Sequence, residues 1–123
     1  MEPEMPAWVE SFPGAMTVAD LDWKILYMNE EASRVFAKRG GRESLVGGDL
    51  MACHPEGSRA KLRELLASGK TNAFTITKAG VDKLIYQAPW YAEGKIAGLV
   101  ELSMEMPREL PHIDRDAKSR TDG

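Results

Sequence analysis

Two spacings of apolar residues alternate along this chain, and the places where one gives way to the other mark its elements. From Ala15 to Asn29 the text reads Ala-Met-Thr-Val-Ala-Asp, then Leu-Asp-Trp, then Lys-Ile-Leu-Tyr-Met-Asn. Two strand-like runs joined by a short aspartate-bearing connection predict a hairpin. Asn29 then suits a helix cap, because its side-chain oxygen can accept from a free amide of the first turn, and Glu30 and Glu31 fall at the positive end of the helix dipole. Ala32, Val35 and Phe36 lie three and four apart, which gives one buried stripe on a helix expected to run to about Arg39 and to stop at Gly40-Gly41. A short helical piece is expected around Glu43 to Val46, ended by Gly47-Gly48, followed by a small apolar cluster of Leu50, Met51 and Cys53 before His54-Pro55. The plainest amphipathic helix spans Ser58 to Ser68, with Leu62, Leu65 and Leu66 inward, Ser58 as its cap and Gly69 as its stop.

Beyond Gly69 the period changes to two. Asn72 to Lys78 places Phe74 and Ile76 on one face and Thr75 and Thr77 on the other, and Ala79-Gly80 begins a turn. Leu84 to Tyr91 and Ile96 to Met106 form two further runs across the turn Ala92-Glu93-Gly94-Lys95, with Ile96, Val100, Leu102 and Met104 sharing a face. Pro89 lies inside the middle run and lacks a ladder donor, so a bulge or break is expected there. Residues 1–11 read as a lead-in carrying Trp8 and Val9, residues 12–106 as one domain, and residues 107–123 as a loose polar tail.

The resulting order β-β-α-α-α-β-β-β, an α+β arrangement, can close as one antiparallel sheet of five strands with helices on one face. It resembles the PAS fold. The likeness is carried by Phe12-Pro13-Gly14-Ala15-Met16 entering the first strand, by Asp20-Leu21-Asp22-Trp23-Lys24-Ile25-Leu26-Tyr27-Met28-Asn29-Glu30-Glu31-Ala32 across the first hairpin, by Leu45-Val46-Gly47, and by Glu93-Gly94-Lys95-Ile96-Ala97-Gly98 in the last hairpin. The resemblance implies strand order 2-1-5-4-3, a pocket between sheet and helices, and a regulatory role in which ligand occupancy or a partner biases dimerisation. Ala52-Cys53-His54-Pro55-Glu56-Gly57-Ser58 is similar to a Cys-His-Pro segment of some bacterial PAS-like sensors. The Asn-Cys-Arg-Phe-Leu-Gln run of flavin-binding LOV domains is not what surrounds Cys53, which argues against flavin photochemistry and for a buried structural thiol.

Composition narrows the classes. Apolar residues are 43% and charged residues 28% of the 123, ordinary values for a globular chain, which argues against disorder. The net charge of -3 comes from 19 acidic and 16 scattered basic residues, so no basic stripe suggests a nucleic-acid partner. The single cysteine leaves no internal disulfide and fits a reducing compartment. No apolar run is long enough to span a bilayer, and the acidic start Met1-Glu2-Pro3-Glu4 does not read as a secretory signal, so a cytoplasmic protein is expected.

The candidate chemistry is that of binding. His54 reads either as an axial ligand to haem iron, shielded by Met51 and Cys53, or as a pre-proline residue whose ring bonds a nearby carbonyl or water. Methionines and aromatics on core elements suit an irregular cavity, and the expected pocket lining is Met28, Phe36, Met51, His54, Phe74, Tyr86 and Val100, with Tyr86, Gln87 and Asn72 as polar handles. The same residues would equally fill a solid core. Trp8 and Val9, with Leu99 on an exposed sheet face, are the expected contacts of a homodimer. No phosphate-cradling glycine loop and no Ser-His-Asp set is present, so an enzyme is not expected. Two readings follow: a sensor binding a small ligand and regulating a signalling partner, or an interaction module with a filled core.

Overall fold

The computed structural model of the chain describes residues 5–116. Its first strand, β1 (Ala15–Asp20), turns into β2 (Ile25–Met28) through Asp20, whose carboxylate accepts from the amides of Asp22 and Lys24 at 2.9 Å each. This aspartate-built turn replaces the Asn-Gly pair of a standard hairpin, and it holds Trp23 at a positive φ of 67°. The β1–β2 register shifts between Val18 and Ala19, which pair with Tyr27 and Ile25. The bulge resets the alternation, so Ile25 and Met28, three residues apart, both point into the core.

A short lead-in helix, α1 (Ala7–Glu10), precedes the sheet, and α2 (Glu30–Val35) follows it. Asn29 caps α2 as expected, accepting from the Ala32 amide at 3.0 Å. The helix does not run unbroken to Arg39. It ends at Phe36 and tightens into a 3-10 turn, Ala37–Arg39, closed by Gly40 at φ 97°. Next come α3 (Gly41–Leu45), a second 3-10 turn (Leu50–Cys53) capped by the Asp49 carboxylate, and α4 (Glu56–Ser68). Pro55, not Ser58, stands at the start of α4, and Ser58 lies inside its first turn. Gly69 ends it in the left-handed conformation, φ 77°.

Strands β3 (Asn72–Lys78), β4 (Val81–Ala92) and β5 (Lys95–Met106) complete one sheet of order β2-β1-β5-β4-β3, antiparallel throughout, the order that the resemblance implied. Their two connections, Ala79-Gly80 and Glu93-Gly94, have positive φ at both residues, the signature of the tight turns whose twist matches a hairpin. Glu93 at φ 53° pays for this geometry because its Cβ crowds the carbonyl, whereas Asn tolerates it. Glu93→Asn is therefore expected to stabilise the fold by about 0.5–1 kcal/mol, read as a raised urea midpoint with unchanged slope. The bulge expected at Pro89 lies one residue later, between Trp90 and Tyr91; Pro89 keeps register with Leu99. It falls two residues past Gln87, where the β3 pairing ends, so no ladder donor is required of it on that side.

Register sorts the strand residues into two faces. Ala15, Thr17 and Ala19 of β1 stand beside Ser103, Glu101 and Leu99 of β5, then Ile85, Gln87 and Pro89 of β4, then Asn72 and Phe74 of β3. This is the helix-covered face. Ala32 of α2 packs on its β1 and β2 part and Leu62 and Leu65 of α4 on its β4 and β5 part, in one core with Leu50, Met51, Ala15, Ala19, Ile25, Met28 and Leu99. Each fully buried leucine contributes about 1.5–3 kcal/mol. Leu99 is thus 1% exposed and belongs to the core, not to a dimer surface as the sequence suggested. Val100, Leu102 and Met104 do share a face, but it is the opposite, open one, together with Tyr86. Residues 107–116 carry no helix or strand, and the rest of the expected tail lies outside the described residues. No helix among the described residues is long and apolar enough to cross a membrane.

Candidate functional site

The helices cover the sheet unevenly. At the β3 side the helix-covered face runs out from under them, and a cleft of about 450 Å³ opens between the sheet and the α2 end with its 3-10 turn. Val35 and Phe36 wall it on the helical side, and Ile85, Phe74 and Ile76 wall it on the sheet side. Thr17, Glu101 and Ser103 supply polar groups from β1 and β5, Cys53 adds a thiol, and Lys38, Arg39, Lys78 and Lys83 complete the lining. Phe74 and Ile76 remain 42% and 38% exposed, because no helix reaches over β3.

Behind the cleft lies a smaller void of about 60 Å³, lined by Ile25, Met28, Leu45, Leu50 and His54. Thr17, Phe36, Cys53 and Glu101 line both spaces and so form the wall between them. Through that wall runs a chain of polar side chains. Asn72 Nδ2 donates to Gln87 Oε1 at 3.0 Å, and Gln87 Nε2 donates to Glu101 Oε2 at 2.7 Å. His54 Nε2 stands 3.7 Å from the same Glu101 oxygen, an ion-pair distance, while its Nδ1 bonds the Leu50 carbonyl at 3.0 Å. No buried side-chain polar atom among the described residues lacks a partner.

The electrostatics of this chain follow from its geometry. The Glu101 carboxylate raises the His54 imidazole above its usual range, against burial, which acts the other way. Burial alone would push the Glu101 carboxyl up, but its His54 and Gln87 partners outweigh this and hold it below the usual value. A raised His contributes stability that is complete below its unfolded value of 6.5 and is lost as pH climbs through the folded value. A lowered Glu contributes stability that is complete above its unfolded 4.5 and is lost as pH falls through the folded value. The pair therefore contributes most between about pH 4.5 and 6.5. Urea midpoints measured across the pH range are expected to decline on the alkaline side of that window, and His54→Gln is expected to flatten that decline.

The structure brings together only some of the residues expected to line a pocket. Phe36 and Phe74 line the cleft; Met28 and His54 line the inner void. Met51 is buried in the core and lines neither. Tyr86 and Val100 are corrected outright: they alternate with Ile85, Gln87, Leu99 and Glu101, and so face away from the helices. Of the polar handles, Gln87 and Asn72 bond each other within the chain described above. The haem reading of His54 is not met by the residues present. Its Nδ1 is held by Leu50, its Nε2 faces a carboxylate, and the adjoining 60 Å³ admits a few waters but no porphyrin. The lead-in ties back to its own domain: Asn29 Nδ2 donates to the Val9 carbonyl at 3.1 Å, and Glu10 accepts from the Tyr27 hydroxyl and pairs with Arg42. Burial and this hydrogen bond push the Tyr27 hydroxyl up to about 12. Trp8 remains 71% exposed.

Thr17, Glu101, Ser103 and the four cationic residues of the cleft went unrecognised in the sequence. A signal for the first three was present: they occupy the inward parity set by Ala15, Ala19 and Leu99, where a polar residue must have a partner or a purpose.

No family model matches the chain, and no curated protein matches it. Solved structures do. The PAS domain of the histidine kinase ThkA aligns with a TM-score of 0.60 at 16% identity over 74% of this chain and 97% of that one. A sensory box sensor histidine kinase from Vibrio cholerae aligns at 0.61 and 14% over 82% and 87%. Vibrio cholerae VqmA bound to DPO aligns at 0.64 and 16% over 81% of this chain and 56% of that one. Strand order, hairpin placement and these superpositions agree that the chain has the PAS fold.

Proposed function

We propose that this chain is a non-catalytic sensor domain that binds a small molecule in the cleft between its sheet and the α2 end and passes the occupancy to a partner. The carrying observation is the cleft itself, where apolar walls converge on the polar groups of Thr17, Glu101 and Ser103 in a space of ligand size. The solved neighbours support the reading, since they include a sensory box sensor histidine kinase, the PAS domain of a histidine kinase and a protein bound to DPO. Glu101 offers the ligand an acceptor, and through Gln87 and Asn72 it joins the cleft to β4 and β3. A guest that donates a hydrogen bond to Glu101 would be felt across three strands.

The test is a thermal-shift screen of the purified protein against small metabolites, repeated on Ser103→Phe, which fills the cleft. At a ligand concentration 100 times Kd the gain is about 2.7 kcal/mol, a shift of several degrees. A compound that stabilises the native chain and not the filled variant is the expected result. A screen without any such compound, or shifts that survive the filling, would overturn the reading.

A second reading rests on the open face. Tyr86, at 38% exposure, stands there with the half-buried Val100, Leu102 and Met104, on the side of the sheet opposite the helix-packed core. That surface fits a second copy of this chain. Sedimentation of the native chain and of Val100→Lys decides it: a dimer that the charge dissociates supports self-association through this face, and a monomer at all concentrations removes it.

A further inference from the structure

The charge around the cleft runs against the charge of the protein. The chain carries a net -3, yet the charged groups lining the cleft are four cations, Lys38, Arg39, Lys78 and Lys83, against the single carboxylate of Glu101. The cations arrive from two sides: Lys38 and Arg39 from the 3-10 turn after α2, Lys78 and Lys83 from the β3–β4 hairpin. Among the described residues none of the four makes an ion pair, although Glu105 stands opposite Lys83 in register. Glu101 is already engaged by Gln87 and His54 in the wall between the two spaces. Between the cations lie Phe74 and Ile76, large apolar side chains left without a covering helix. Four like charges converging on uncovered apolar surface repel one another, and a guest that neutralises them while covering that surface relieves both costs.

Resting on the cleft as a binding site, we infer that its guest is an amphipathic anion: an apolar body seated on Phe74, Ile76 and Ile85, carrying a carboxylate, sulfonate or phosphate group between the two pairs of cations. The anionic group stays at the cationic residues, because the Glu101 carboxylate repels it from the wall. A hydroxyl or N–H on the body can donate to that same carboxylate. Each exposed cation contributes modestly, so loss of one is expected to weaken binding about two- to fivefold and loss of two about tenfold.

The test compares two fluorescent probes with the same aromatic body, anilinonaphthalene sulfonate and the uncharged N-phenylnaphthylamine. The native chain is expected to bind the sulfonate at least tenfold more tightly at low salt. That preference should shrink as ionic strength rises and should largely vanish in Lys78→Gln/Lys83→Gln, whose substitutions lie beside an exposed hairpin and leave the core intact. Equal affinity for both probes, lost in Ser103→Phe, overturns the anionic class and keeps the cleft. Failure of both probes to bind, or binding that Ser103→Phe leaves unchanged, overturns the cleft reading and this inference with it. Circular dichroism of each variant establishes that it is folded before its affinity is read.

Discussion

Gly98→Ala is expected to cost about 3 kcal/mol or more, a large share of the stability of a domain this size. Gly98 pairs with Asp20 on one side and Trp90 on the other. A Cβ there would stand 1.9 Å from the Ala19 carbonyl oxygen and 2.6 Å from the Trp90 indole nitrogen. The absent side chain is what lets the Trp90 ring cross β5 and donate its N–H to that carbonyl at 2.9 Å, linking β4 to β1 over the strand between them. Because the tighter clash is with backbone, repacking cannot relieve it. Trp90→Phe, which removes only the hydrogen bond and part of the ring, is expected to cost about 1 kcal/mol beyond its lost area. The double variant Gly98→Ala/Trp90→Phe should stay nearly as unstable as Gly98→Ala. Recovery of stability in that double variant, measured by urea denaturation, would show that the indole and not the Ala19 carbonyl makes the glycine necessary.

Asn29→Ala is the second large effect, expected at about 3 kcal/mol, since it orphans several groups at once. Asn29 is wholly buried, and its amide is fully used. Oδ1 accepts from the Met16 and Ala32 amides at 3.0 Å each, and Nδ2 donates to the Gly14 carbonyl at 2.9 Å and the Val9 carbonyl at 3.1 Å. One side chain thereby joins α1, the entry to β1 and the start of α2. Asn29→Asp keeps the two acceptor bonds but turns a carboxylate toward two carbonyl oxygens. It is expected to be destabilised at neutral pH and partly restored in acid, where a protonated carboxyl can donate to one of them. An Asp variant whose stability does not respond to acid would contradict this use of the amide.

How much of this was legible in the sequence follows from what kind of signal each feature leaves. Helices, strands and their order were readable because apolar spacing reports burial directly, and α4 with Leu62 and Leu65 is the clearest case. The cap at Asn29 was readable as local chemistry, but its bonds to Val9 and Gly14 were not, since they depend on tertiary closure. The faces of β4 and β5 were the main loss. Alternation gives two sets of residues and does not say which one meets the helices, and here the more apolar set of β5, Val100, Leu102 and Met104, turned outward. Choosing it placed Tyr86 and Val100 in a pocket and Leu99 on a surface, each the reverse of what forms. The cleft's cations were illegible for a related reason, because Lys38 and Lys83 become neighbours of one space only after the sheet is assembled.

The sheet also has a firm end and a soft one. β3 is bonded to β4 alone, its residues are nearly all exposed, and no helix spans it. Peeling it away would sacrifice one ladder and almost no buried area, so its amides should trade protons with solvent long before those of β1. A guest lying on Phe74 and Ile76 would act as the roof that strand lacks, converting chemical occupancy into mechanical stiffness at one margin of the sheet.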